Sequence, residues 1–256
     1  MCRKDRFRIN KIHISIVNPK TAYEKVAKLA TSGKGGYICV SNFRMVLYAR
    51  QHPEYAELME HSLMNFPDGK PLTWCGRLWG IKEVSRTSGP EFFANTLKSN
   101  YPQLKHYLLG DTEDIVQRIL DKNEKENNSI IVGAEALPFT DVEKFDYKGI
   151  SERIKASGAN VVWTAMRAPK QDQFNARLYK YLPNVVSLGV GRAFRLYVGE
   201  IKDAPEWAKK FAMTGLFTTR QGFWKTFGWY ITSLFYLITF MLDIIFSRFR
   251  CKKYYT

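Results

Sequence analysis

The chain has 256 residues, 45% hydrophobic and 25% charged, enough for one sizeable globular domain with a full core plus an appendage, and this excludes a disordered chain. Its formal net charge of +15 predicts attraction to polyanions: nucleic acid, an anionic membrane face, or phosphate-bearing small molecules. Cys2, Cys39, Cys75 and Cys251 lack CxxC spacing and companion histidines, so neither a zinc site nor a disulfide framework is expected, and a reducing compartment fits best.

The N-terminus carries Arg3, Lys4, Arg6, Arg8 and Lys11 with no apolar run behind them, which argues against a secretory signal peptide and for a cytoplasmic main domain. Short apolar, β-branched segments follow at 12–17, 36–40, 63–66, 105–109, 129–132, 160–164 and 185–188. Between them, apolar residues every three or four positions predict helices over 21–31, 43–51, 53–61, 71–78, 90–99, 111–122, 147–157 and 171–181. That rhythm predicts βαβ units, an α/β Rossmann-like fold with a mostly parallel sheet and flanking helices.

Within this frame the punctuation is informative. Asp68 stands between Pro67 and Gly69 at the end of the run Leu63, Met64, Phe66. All three residue types favour turns, so an ordinary turn accounts for them; the alternative is a carboxylate at the carboxyl end of a strand, where open α/β sheets place their chemistry. Leu109-Gly110-Asp111-Thr112 ends a strand and opens a helix with Asp111 or Thr112 as its cap, so backbone N–H groups near Gly110 could face a nucleotide. Arg167-Ala168-Pro169-Lys170-Gln171 starts a helix near Pro169 and projects Lys170 and Gln171 beside the same edge; a solvated helix start is the competing reading, particularly for Lys170. Gly189-Val190-Gly191 is a turn that could approach a phosphate, although a full GxGxxG is absent. No Asp-x-Asp pair of the metal-binding kind occurs, and Asp111, Glu113 and Asp114 read as an acidic first helical turn.

The C-terminal stretch 226–242 carries no charge and sits at the lower margin of the roughly 17–25 residues that span a bilayer. Phe227, Ile231, Leu234, Phe235, Ile238, Met241, Leu242, Ile245 and Phe249 fall on one helical face and mostly polar residues on the other, which predicts an interfacial amphipathic helix in preference to a spanning one. Trp224, Trp229 and Tyr230 suit the headgroup zone, and Arg248, Arg250, Lys252 and Lys253 suit anionic lipid. A helix packed into the core is the plainer alternative.

Taken in order, Asn42, the 45–50 helix, Phe66-Pro67-Asp68-Gly69, Arg86-Thr87-Ser88-Gly89-Pro90, Ala168-Pro169-Lys170-Gln171, Gly189-Val190-Gly191, Ala193-Phe194, Gly199 and Ala204-Pro205-Glu206-Trp207 resemble the WecG/TagA/CpsF family of bacterial glycosyltransferases. The resemblance covers about four fifths of the chain and rests on the order and spacing of the motifs. It implies a GT-E-type catalytic domain over 1–203 and a C-terminal appendage over 204–256 that docks on the membrane. It also implies inverting, metal-independent transfer from a UDP-sugar, N-acetylmannosamine or a related hexose or uronic acid, to a polyprenyl-diphosphate-linked acceptor in cell-surface polysaccharide synthesis. The work would be done peripherally, at the cytoplasmic face of the bacterial inner membrane, with no cofactor. Residue by residue, Asp68 falls on the family's proposed general base, Asn42 and Arg86 lie near it, and Gln171 matches a donor-pocket glutamine. Gly110, Lys170, Gly189, Gly191 and Arg192 are expected on the substrate side, and self-association or membrane docking is expected to complete the pocket.

Several positions depart from the family pattern. Val40 replaces a usual Thr, Arg167 and Arg192 stand where small residues are usual, and Arg195 stands where Asp is usual. These arginines read either as contacts to an acidic donor sugar or the acceptor diphosphate, or as surface substitutions in a basic protein. In the appendage Gln221 aligns, while Thr218 replaces a usual arginine, leaving Arg220 and Lys225 as substitutes. Two other functions follow from the same residues: a membrane scaffold that no longer catalyses, which the presence of Asp68, Asn42 and Arg86 opposes, and a nucleic-acid-binding protein. No zinc-finger, RNP or basic-helix pattern supports the latter, so no nucleic acid is expected as partner.

Overall fold

The computed structural model describes residues 5–203, apart from 10, 100, 127 and 129, together with 235, 238–240 and 242. The chain opens on an antiparallel hairpin, β1 (Arg6–Ile9) and β2 (Ile12–Ser15), followed by α1 (Pro19–Thr31). Next come β3 (Gly36–Ser41), α2 (Phe43–Gln51), α3 (Pro53–His61), β4 (Met64–Pro67), α4 (Lys70–Leu78) and α5 (Gly89–Lys98). The second half runs β5 (Lys105–Gly110), α6 (Glu113–Lys125), β6 (Ile130–Glu135), α7 (Tyr147–Ser157), β7 (Val161–Ala165), α8 (Lys170–Tyr179), β8 (Val186–Gly189) and α9 (Ala193–Tyr197).

Six strands form one parallel sheet in the order β4-β3-β8-β7-β5-β6. Alternation along the strands feeds two faces. Ile38, Val40, Leu108, Val161, Trp163 and Leu188 pack with α1, α5, α6 and α9. Tyr37 and Cys39 face α2, α3 and the hairpin, while Tyr107, Leu109 and Val162 face α7 and α8. Helices therefore cover both faces, as a parallel sheet requires.

The segment expected as a strand at 12–17 lies outside this sheet. It pairs instead with β1, which composition conceals because Arg6 and Arg8 interrupt its apolar residues. Phe7, Ile9, Ile12 and Ile14 are nonetheless no more than 1% exposed, all facing inward from a two-stranded ribbon. The ribbon guards the outer edge of β4: the Asn65 N–H donates to Ser15 Oγ at 3.0 Å and the Asn65 side-chain amide to the His13 carbonyl at 2.8 Å. An uncovered edge strand would offer a template for another chain.

The connection after β3 goes to one face, through α2, while that after the neighbouring β8 goes to the other, through α9. Such a divergence opens a crevice beyond the carboxyl ends of the two strands, the standard ligand position in open α/β sheets. The segment 204–234, which contains Ala204-Pro205-Glu206-Trp207, Thr218, Arg220, Gln221, Trp224, Lys225, Trp229 and Tyr230, lies outside the described residues, as do Arg248, Arg250, Lys252 and Lys253.

Candidate active site

Asp68 leaves the carboxyl end of β4 between two backbone anchors. Its own N–H donates to the Ser41 carbonyl at 2.7 Å, and the Thr87 N–H donates to the Pro67 carbonyl at 2.9 Å. Gly69 then turns the chain into α4 with φ of 98°, a conformation a residue with a Cβ rarely adopts. The Pro-Asp-Gly turn and the strand-edge carboxylate are thus the same object.

The Thr87 anchor brings Arg86 to the carboxylate. Arg86 Nε stands 3.6 Å from Asp68 Oδ1, and Nη1 donates to Glu91 Oε1 at 3.0 Å. The Asp68 side chain keeps 29% exposure, yet burial pushes its pKa up to about 6; Arg86 opposes that rise, Glu91 adds to it, and Arg192 opposes it. A carboxylate so poised can accept a proton near neutral pH.

Arg192 enters from the turn after β8. Burial lowers its pKa and Arg167 lowers it further, while Asp68 and Asp203 raise it. Because Arg192 is exposed as a whole residue, solvent moderates these effects. Arg86 and Arg192 thereby act on one carboxylate at the crevice and Arg167 stands by Arg192, a concentration of guanidinium charge suited to a diphosphate. Arg195 has a different use. Its Nε and Nη2 clasp the Asp111 carboxylate at 2.7–3.0 Å, an internal partner that neither of the two readings open for this residue named.

The remaining expected residues are arranged as supports. Asn42 is the N-cap of α2, its side-chain oxygen accepting from Arg44 N at 3.0 Å and Met45 N at 3.2 Å. Gln171 is 3% exposed and accepts from Gly191 N at 2.9 Å, so it holds the glycine turn from beneath. A Cβ on Gly189 would come within 2.7 Å of the Gln171 side chain, which is why that strand ends in glycine. Gly110 is buried where β5 ends, and a Cβ there would meet the Ala165 carbonyl at 2.9 Å. Thr112 rather than Asp111 caps α6. The Lys170 ammonium donates to the Thr140 carbonyl and lies 5.3 Å and 5.4 Å from the ring centroids of Phe139 and Phe145.

Three groups at or beside the site escaped the sequence reading. Glu91, in the first turn of α5, shares Arg86 with Asp68 and lines a largely apolar groove of about 270 Å³ between α1 and α5. Its only sequence signal was an acid one residue past Gly89-Pro90, a common helix start. Asp172, next to Gln171, is 1% exposed and accepts from Tyr55 Oη at 2.5 Å. Ser41, ahead of Asn42, is buried with no hydrogen-bond partner for its hydroxyl among the described residues. No cluster of three or more metal-ligating side chains is gathered among the described residues.

The profile of the Glycosyl transferase WecG/TagA/CpsF family matches residues 7–253, nearly the whole chain. The chain belongs to that family. Similar proteins include an N-acetylglucosaminyldiphosphoundecaprenol N-acetyl-beta-D-mannosaminyltransferase of Bacillus spizizenii, 23% identical over 72% of this chain and 70% of that protein. A protein of the same description from Bacillus subtilis is 24% identical over 68% of this chain and 66% of its own length. As a WecG/TagA/CpsF member the protein is a glycosyl transferase, and its α/β domain with a six-stranded parallel sheet agrees with the Rossmann-like fold that the resemblance implied. Val40, at a position where the family usually carries Thr, is packed in the core with Cγ1 3.4 Å from where a Gly89 Cβ would lie. Ser41 points to the opposite side of the strand and so does not restore that hydroxyl.

Proposed function

We propose that the protein is an inverting transferase that moves N-acetylmannosamine, or a related hexose or uronic acid, from a UDP-sugar to a polyprenyl-diphosphate-linked acceptor. The observation that carries this reading is Asp68: a strand-end carboxylate with its pKa raised to about 6, flanked by Arg86 and within the field of Arg192. Asp68 takes the proton of the acceptor hydroxyl as its oxygen attacks the anomeric carbon. The sugar–phosphate bond breaks on the opposite side of that carbon, and the electron pair leaves with the nucleoside diphosphate. Arg192 and Arg167 offset the charge that grows on the departing diphosphate, and Gln171 keeps the Gly189–Gly191 turn in place beside it. No metal is assigned a role in this scheme. The names of the two Bacillus relatives support the acceptor class and the donor sugar.

The place of work is a membrane surface, since an acceptor of this kind is anchored in lipid, and its cytoplasmic side is the one that the family resemblance implies. Phe240 is 1% exposed against Phe43 of α2, whereas Phe235, Ile238 and Leu242 are 64%, 51% and 47% exposed. An apolar set at i, i+3 and i+7 that faces outward while one aromatic anchors it to the domain suits the headgroup boundary. No helix of the described residues is long and apolar enough to cross a membrane.

A screen of UDP-sugars against a lipid-diphosphate acceptor, with products read by mass, tests the donor and the activity together. In the same assay Asp68→Asn keeps the shape of the side chain without its basicity, and transfer is expected to fall about 10²–10⁴-fold. Transfer by Asp68→Asn at the wild-type rate would overturn the assignment of the base.

A further inference from the structure

We propose that Glu91 is a positioning residue of this site: it holds the Arg86 guanidinium partly off Asp68, leaving that carboxylate free to accept a proton. The proposal rests on Asp68 being the base and goes beyond it by naming the group that keeps the base competent.

The geometry of Arg86 carries the argument. Its Nη1 makes a hydrogen bond to Glu91 Oε1 at 3.0 Å, whereas its Nε reaches only to 3.6 Å from Asp68 Oδ1, beyond hydrogen-bond range. A guanidinium is a rigid fork of five donors that favours two-pronged closure on a single carboxylate. Closed on Asp68 in that way, Arg86 would make the carboxylate a weak base, since an adjacent arginine lowers an acid's pKa by about 1–3 units. Glu91 draws the fork the other way.

The fold holds Glu91 in place for this. It lies in the first turn of α5, where the helix N-terminus favours a carboxylate, and the next two residues, Phe92 and Phe93, are 4% and 0% exposed and pin that turn to the sheet. Among the described residues, the charged groups acting on Asp68 are Arg86 and Arg192, which favour its ionised form, and Glu91, which opposes it. Arg167 stands by Arg192, and Asp203 acts on both Arg86 and Arg192. Glu91 bonds Arg86 directly.

The test uses the full-length protein with Glu91→Gln and Glu91→Asp. Removing the charge frees Arg86 to close on Asp68, so the acid limb of the pH–rate profile is expected to move down by about 0.5–1 pH unit. The plateau turnover is expected to fall roughly three- to tenfold as the base weakens. Glu91→Asp, which keeps the charge, should leave the limb nearer its wild-type position. A substrate-free readout separates this proposal from the reading it rests on: an NMR titration of the labelled Asp68 carboxyl, assigned by its absence in Asp68→Asn. A downward shift in Glu91→Gln supports the proposal, and a midpoint that stays put or rises overturns it, whatever the transfer assay gives. If Asp68→Asn retains wild-type transfer, the functional reading fails instead.

Discussion

At the scale of single residues, the proposed chemistry turns on one carboxylate whose surroundings disagree about its charge. Burial and Glu91 favour the protonated form of Asp68, Arg86 and Arg192 the ionised form, and the balance lies at about 6. A base works ionised, so turnover is expected to be constant above neutral pH and to fall as pH drops through about 6, which a pH–rate profile under saturating substrate measures. Gly189 bears on the site by having no side chain. With a Cβ 2.7 Å from Gln171 Cδ, Gly189→Ala forces Gln171 off Gly191. Overpacking of this kind costs about 1–3 kcal/mol, so a lower melting temperature and a raised donor KM are expected together. Sequence made Asp68 and the glycine turn legible because Pro and Gly flank them; Glu91 was not, because an acid in a first helical turn is unremarked until Arg86 is seen to bond it.

Among the elements, α8 matters most because it carries Gln171 on its first turn and is tied down by its neighbour. Asp172 joins α8 to α3 through Tyr55 Oη, and the Cys39 thiol of β3 lies against the same carboxyl. Burial raises its pKa to about 7, with the Tyr55 and Cys39 hydrogen bonds opposing the rise. The folded protein therefore binds this proton more tightly than the unfolded chain, whose aspartate titrates near 3.8. Stability from this group is complete below the unfolded value and is lost as pH rises through about 7. The melting temperature is expected to fall between mildly acid and mildly alkaline pH, and Asp172→Asn should flatten that slope. Tyr55→Phe strands a buried carboxyl oxygen and is expected to cost about 1–3 kcal/mol, measured by denaturant unfolding. The Arg195–Asp111 clasp works similarly between α9 and the end of β5, holding Asp111 at φ of 60°.

For the whole molecule, the charge of +15 and the outward apolar residues near the C-terminus belong to one proposal, attachment to an anionic lipid surface. Phe240 contacts Phe43, the first residue of α2 and next to Asn42, so this apolar face lies at the carboxyl edge of the sheet with the candidate site. Ile238→Asp combined with Leu242→Asp is expected to weaken sedimentation with anionic vesicles about tenfold or more. The melting temperature should hardly change, because both side chains are about half exposed and Phe240 is retained. Vesicle binding equal to wild type would separate this face from the membrane.

The α/β rhythm, most element positions and the strand-end place of Asp68 were legible in residue order, because strand hydrophobicity, helical period and Pro-Gly punctuation are local properties. Sequence alone missed β1 and counted the 12–17 segment, β2, with the sheet, since the pairing of β1 with β2 is written in contacts with α4 and β4 rather than in period. Tertiary structure alone decided which charges meet: Arg86 divided between Asp68 and Glu91, Arg195 turned to Asp111, Asp172 set against Tyr55. These partners are 5 to 117 positions apart in the chain, and a side chain's pKa and partner follow from distance in space, which residue order does not encode.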